Sequence, residues 1–270
     1  MKGLRVASVV VARNEEELIE ATIQSLLDQT IEIMIVVVDD GSTNGTPEIS
    51  RALGVPTLSL PFHRENYIGN PAIAIRYNIG LDYVRRYSPD FVLIMGGDQV
   101  LPPNYVEDLI EKMGGPGSDI VVASGSIQGQ PSVAPRGSGR MVNVAFWEKI
   151  NRMNYPVNPG WESWLISRAE MDGYEARYFE EPTSISRETR KGPGKMRSRG
   201  RGMYALGYHP YYAIARGVFI MLRRPLSGLA MIYGYLNHGG VQTLDTFDFT
   251  RRQQRKRLWS RIKEKLMGGP

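Results

Sequence analysis

Three short apolar runs, the second and third of which end in acidic residues or glycine, constrain this chain more than any other feature. Val6 to Ala12 (VASVVVA), Ile33 to Val38 and Phe91 to Met95 are unbroken and mostly β-branched, the pattern of strands covered on both faces of a parallel sheet. Between the first two, Glu15, Glu16 and Glu17 open an amphipathic stretch with Leu18, Ile19, Ile23, Leu26 and Leu27 at helical spacing. Acidic residues are favourable in the first turn of a helix, which supports that assignment. Thr46 to Leu53 and Ala72 to Arg86 read as further helices, with a weak strand at Leu58 to Leu60. Such alternation predicts a doubly wound α/β sheet, in which ligands bind beyond the carboxyl ends of the strands. Those ends carry Asp39-Asp40-Gly41-Ser42-Thr43 and Gly96-Gly97-Asp98, so Asp39, Asp40 and Asp98 are expected to converge.

Further along, Pro102 to Met113 reads as a helix, Ile120 to Ser124 as a strand and Gly125 to Gly139 as a loop. Met141 to Met153 and Ser163 to Gly173 look helical, and Tyr178-Phe179 ends a short strand. Charge then divides the chain: up to Ser186 there are 15 Lys+Arg against 24 Asp+Glu, and after it 18 against 4, so −9 and +14 sum to the net +5. A basic end of this size meets something anionic, whether phosphate, membrane surface or nucleic acid. We therefore expect a sheet domain over residues 1–186, a basic glycine-rich flexible loop over 187–207 and a basic helical region over 208–270. The loop contains RETRKGPGKMRSRGRG, from Arg187 to Gly202. Tyr211 to Leu222 and Leu226 to Leu236 are apolar but short of the roughly 20 residues that span a bilayer, so they are either buried helices or in-plane membrane helices. Arg251 to Lys265, with Leu258, Trp259, Ile262 and Leu266, reads as a basic amphipathic helix.

Composition narrows the chemistry. There is no cysteine, which excludes disulfides and thiolate metal sites, and His63, His209 and His238 are too few for a multi-histidine centre. Chemistry must come mainly from Asp and Glu. The opening lacks the apolar segment of a signal peptide, so the expected location is the cytoplasm, at the inner face of the cell membrane.

Five segments, in order, resemble family 2 glycosyltransferases of the GT-A fold: VVARNEEELIEATIQSLLDQT, VVVDDGSTNGT, the Ile68 to Leu81 stretch with Asn78-Ile79-Gly80, LIMGGDQVLPPNYVEDL and GWESWLISRAEMDGYEARYFEE. The resemblance implies a Rossmann-like mixed sheet with helices on both faces, and inverting transfer of a sugar from a nucleotide-diphosphate donor to an acceptor hydroxyl. It assigns Ala12, Asn14, Glu15, Asp39, Asp40, Ser42, Asn78 and Gly97 to the nucleotide-sugar, Asp98 to Mg²⁺ or Mn²⁺, and Glu162 to the catalytic base. The metal motif reads Gly96-Gly97-Asp98, keeping its last carboxylate without the first, and Ser186 or Arg187 stands where many relatives carry a metal-binding His.

Elementary chemistry supports these roles. Carboxylates at strand ends accept hydrogen bonds from a base and ribose, a diphosphate leaving group accumulates charge that a cation stabilises, and a carboxylate can take the proton of an attacking hydroxyl. Trp161 and Trp164 either wall an acceptor site or belong to the core at a helix start. Arg197, Arg199 and Arg201 either close on the diphosphate as a lid or lie in a solvated linker. A membrane contact and a lipid-linked or cell-surface glycan precursor as acceptor fit the basic, apolar C-terminal region better than nucleic acid does. The competing reading is a catalytically weak scaffold that binds a glycan precursor or a membrane partner.

Overall fold

A computed structural model describes residues 3–64, 70–130, 132–187 and 192–266. The chain divides into two compact units, one built from residues 1–65, 74–155 and 172–188 and the other from 66–73, 156–171 and 189–270.

The first unit is built on a mixed sheet. Its elements run β1 (Val6–Ala12), α1 (Ile19–Leu27), β2 (Ile33–Asp39), α2 (Thr46–Ala52), β3 (Thr57–Ser59), α3 (Ile73–Arg85), β4 (Phe91–Gly96), β5 (Gln99–Val100), α4 (Tyr105–Met113), β6 (Ile120–Ile127), β7 (Arg140–Asn143) and α5 (Val144–Asn151). After α6 (Trp161–Met171), which belongs to the second unit, β8 (Glu175–Ser186) returns to the sheet. Strand order is β3-β2-β1-β4-β7-β6-β8-β5. β1 is buried at every residue and pairs in parallel with β2 on one side and β4 on the other. Strand order reverses there, which makes the crevice beyond the ends of β1 and β4 the topological switch point. The core joins Val10, Ile19, Ile23 and Leu26 to Leu93, Met95, Leu109 and Met141.

Several expectations need correction. Met141 to Asn143 is strand, with Met141 and Val142 fully buried and β7 paired antiparallel to both β4 and β6. The helix begins only at α5, where Asn143 Oδ1 accepts a hydrogen bond from the Phe146 amide. β8 is a twelve-residue strand rather than a short one, and β6 extends to Ile127, so the expected loop is shorter.

The second unit contains α6, α7 (Pro193–Ala205), α8 (Pro210–Met221), α9 (Pro225–Leu236) and α10 (Phe247–Leu266). α7 overturns the flexible loop over most of its length, while residues 188–191 of that expected loop lie outside the described residues. Glycine lowers helix propensity, yet in α7 it permits contact: a side chain at Gly200 would lie 2.1 Å from the Met231 carbonyl on α9, and one at Gly234 2.1 Å from the Arg197 carbonyl. Packing without side chains between the axes offsets the propensity cost. Among the described residues no helix is long and apolar enough to cross a membrane.

Candidate active site

The first three parallel strands end in a cross-linked pair of loops. After β1, Asn14 adopts a left-handed backbone (φ +55°), its amide donates to Ser42 Oγ at 2.9 Å, and its Oδ1 accepts from the Thr43 amide at 2.9 Å. The Asp40 amide donates to the Ala12 carbonyl and the Glu15 amide to Thr46 Oγ1, at 2.9 and 2.8 Å. Asp39 Oδ1 accepts from the Ser42 amide at 3.1 Å and thereby shapes the turn after β2. Gly41 (φ +69°) completes that turn, where a Cβ would lie 2.7 Å from the Pro61 carbonyl. Asn14 and Ser42 thus set loop geometry, and Asp39 and Asp40 are held at the sheet's mouth with 2% exposure each.

Asp40 is held from two sides. Its Oδ1 accepts from Arg76 Nε at 2.6 Å and pairs with His63 Nε2 at 3.0 Å. His63 in turn meets Arg13 through Nδ1 at 3.2 Å and through its carbonyl. Sequence reasoning missed this Arg13–His63–Arg76 set. The available signal was electrostatic, since two adjacent buried carboxylates demand cations.

At the end of β4, Gly97 is fixed by lack of space: a Cβ would lie 2.7 Å from that of Ala12. A side chain at Gly96 would approach Asp98 Oδ1 to 3.0 Å, and the Gly96 amide donates to Ser138 Oγ at 2.8 Å. Asp98 is 24% exposed, with Arg187 Nε at 3.7 Å. Arg187 also donates to Glu15 Oε1 at 2.5 Å. Burial pushes the Glu15 carboxyl above its ordinary value, Arg187 opposes this, and the charge of Asp98 adds to the upward push. Two carboxylates therefore face one guanidinium at the switch point. Among the described residues no group of three His, Asp or Glu could hold a metal by itself. Asp98 is a hard oxygen donor, and Mg²⁺ or Mn²⁺ carried by a diphosphate needs only one or two protein carboxylates, so the donor set fits such an ion.

Asn78 departs from its expected role. Both ends of its amide are used on Tyr155, with Nδ2 donating to the carbonyl at 2.9 Å and Oδ1 accepting from the amide at 2.7 Å. It ties α3 to the segment after α5. A cavity of about 340 Å³ lined in part by Arg5, Arg85, Asp90 and Glu148 lies by the N-terminal ends of β1 and β4, away from these carboxylates.

In the second unit, Glu162 stands exposed in the first turn of α6, where its carboxylate lies within electrostatic reach of Arg199. Trp161 and Trp164 are 7% and 3% exposed, and Trp164 Nε1 donates to Asp245 Oδ1 at 2.6 Å. Asp245 also accepts from Arg168 at 2.5 Å. The expected acceptor wall is corrected accordingly: both indoles are core residues at a helix start. Arg197, Arg199 and Arg201 are carried by α7, with Arg197 4.9 Å over the Tyr233 ring and Arg201 Nε buried without a hydrogen-bond partner.

Known proteins agree with this architecture. No curated protein sequence matches the chain. Among solved structures it is similar to TarS residues 1–349 of S. aureus in complex with UDP (TM-score 0.52, 14% identity, covering 94% of this chain and 92% of that one). It is also similar to the mannosyltransferase PcManGT from Pyrobaculum calidifontis in complex with GDP-Man and Mn²⁺ (TM-score 0.59, 15% identity, 87% and 88%). A third is glucosyl-3-phosphoglycerate synthase from Mycobacterium tuberculosis, with Mn²⁺, UDP and glucosyl-3-phosphoglycerate (TM-score 0.54, 16% identity, 74% and 79%). Identities this low speak for the fold, which is GT-A. The family model described as glycosyl transferase family 2 matches residues 8–171, a majority of the chain that includes the ends of β1, β2 and β4. The chain belongs to glycosyl transferase family 2.

Proposed function

We propose that the chain transfers a sugar, with inversion, from a nucleotide-diphosphate donor to an acceptor hydroxyl on a lipid-linked or cell-surface glycan precursor. The observation that carries this is the placement of Asp39, Asp40 and Asp98 at the ends of neighbouring strands of one unit, with Asp39 and Asp40 buried and held by named partners and Glu15 sharing Arg187 with Asp98. Asp39 and Asp40 accept hydrogen bonds from the nucleoside, with the Ala12–Glu15 loop and Gly97 shaping the floor beside them. Arg76 and His63 hold the Asp40 carboxylate in place, so less ordering is required when the nucleoside arrives.

Asp98 is the residue that would hold Mg²⁺ or Mn²⁺, together with the donor's own phosphates, and Glu15 lies beside it. Such an ion, when bound, neutralises charge on the departing diphosphate. Arg187 already brings one positive charge to this spot. Glu162, exposed in the first turn of α6, takes the proton from the attacking hydroxyl.

Glu162→Gln tests the assignment. Transfer should fall by about 10²- to 10⁴-fold, the usual contribution of a general base, with donor affinity unchanged. Full activity in that variant would remove Glu162 from the mechanism. Donor binding without turnover in the wild type would favour the scaffold reading, to which the Gly96 position lends its weight.

A further inference from the structure

The α8–α9 hairpin is built inside out for a helix pair in water. Where α8 and α9 meet, the contact is made by small residues: Gly217 and Gly228 let the backbones touch, since a Cβ at Gly228 would lie 2.4 Å from the Gly217 carbonyl, while Met231 and Tyr235 of α9 are buried in a separate cluster with Met196 and Met203 of α7. Six of its large apolar side chains point away from both contacts. Tyr211, Phe219, Leu222, Leu226, Leu229 and Leu236 are between 56% and 78% exposed. A soluble helix places its apolar stripe inward, whereas small residues at the helix contact and large apolar ones outside are the arrangement used in lipid. At twelve residues each, the helices are about 18 Å long, well short of a roughly 30 Å hydrocarbon core. They can lie in a leaflet and cannot span it.

Charge identifies the occupant. From residue 192 to 244 the sequence has seven Lys or Arg and no Asp or Glu, and Arg223 and Arg224 stand exposed at the hairpin's tip. A second copy would set this positive surface against itself. Beside the hairpin, an apolar depression of about 380 Å³ between Pro193 and Arg197 of α7 and Leu226, Leu229 and Tyr233 of α9 has Arg197 as its single charged lining residue among the described residues. An apolar floor with a cation at the edge suits an acyl chain that ends in a phosphate.

We propose that the α8–α9 hairpin and this depression form a docking surface for an anionic lipid leaflet, with the hairpin lying in the plane of the membrane. The proposal deepens the functional reading by naming where a lipid-linked acceptor is presented, and it rests on that reading only for its purpose.

The test is sedimentation of the full chain with phosphatidylcholine vesicles that contain, or lack, about a quarter phosphatidylglycerol, with no donor or acceptor present. Binding to the anionic vesicles at low salt, weakened at about 0.5 M salt, is expected. Arg223→Gln and Arg224→Gln should each weaken it about fivefold. Phe219→Ser with Leu226→Ser should weaken it at least tenfold while leaving the melting temperature unchanged, since both side chains are exposed. Absence of binding at low salt, or equal binding by the variants, overturns the proposal. So does a dimer that the double serine variant dissociates while vesicles leave the protein in the supernatant, because a second copy then covers the face. Donor binding is measured separately on the protein without vesicles, so vesicle binding without donor binding would sink the functional reading alone, and the converse would sink this proposal alone.

Discussion

Asp40 must be held in place before a nucleoside can be bound beside it, and the residues that hold it are far away in sequence. Arg76 is 36 positions away and His63 is 23. That Asp39, Asp40 and Asp98 lie at the ends of buried strands was legible in the sequence, because the apolar runs before them are unbroken. The partners were not, because long-range pairing leaves no local pattern. Arg76→Ala should destabilise the protein by about 3 kcal/mol in urea titration, since it leaves a buried carboxylate short of its guanidinium. Adding Asp40→Asn should recover part of that loss, and a simple sum of the two effects would show the pair to be uncoupled. Asn14 makes a second residue-scale case. Its left-handed backbone and its bond from the Thr43 amide predict a loss of about 2 kcal/mol for Asn14→Ala and only about half of that for Asn14→Gly, which keeps the backbone freedom. Equal losses would assign the whole effect to the side chain.

At the scale of elements, sequence patterns were reliable where burial is two-sided and misleading where tertiary contact overrides propensity. β1 was legible to the residue because every position is covered. β7 was hidden because Met141 to Met153 reads as one periodic run across a strand-to-helix junction marked only by Asn143. β8 runs on past Tyr178-Phe179, where the expected strand ended, and through Pro182, a residue that argues against a strand. The fold admits it because Gly125 on β6 has no side chain to strike the Pro182 carbonyl, to which a Cβ would come within 2.1 Å. α7 is the clearest override: basic and glycine-rich, it is helical through its contact with α9. Gly200→Val should therefore separate the two helices and lower both helicity and melting temperature, whereas Gly194→Ala, with nothing within 4 Å, should stabilise by roughly 0.5–1 kcal/mol. Circular dichroism during melting reads both. A harmless Gly200→Val would mean that the close approach of α7 and α9 contributes nothing.

At the scale of the whole molecule, the two compact units carry different proposed tasks. The sheet unit supplies the carboxylates proposed to hold a nucleotide and its metal, and the helical unit supplies Glu162 and the basic, apolar hairpin. The sequence boundary after Ser186 captured the charge change but not the grouping, because the segment over residues 156–171 clusters with the C-terminal helices rather than with the sheet. Contact in three dimensions decided that grouping, and composition carried no trace of it. The most direct measurement is the melting temperature of the wild type and of Asp98→Asn with UDP or GDP, each with Mn²⁺ or with chelator. A ligand at about 100 times its dissociation constant adds about 2.7 kcal/mol to stability, worth a rise of roughly 5 °C or more in a chain of this size. One diphosphate should raise the wild type by that amount with Mn²⁺, and the rise should largely vanish with chelator and in Asp98→Asn. No rise with either nucleotide, or an equal rise in Asp98→Asn, would contradict a metal-assisted nucleotide site at the ends of β1, β2 and β4.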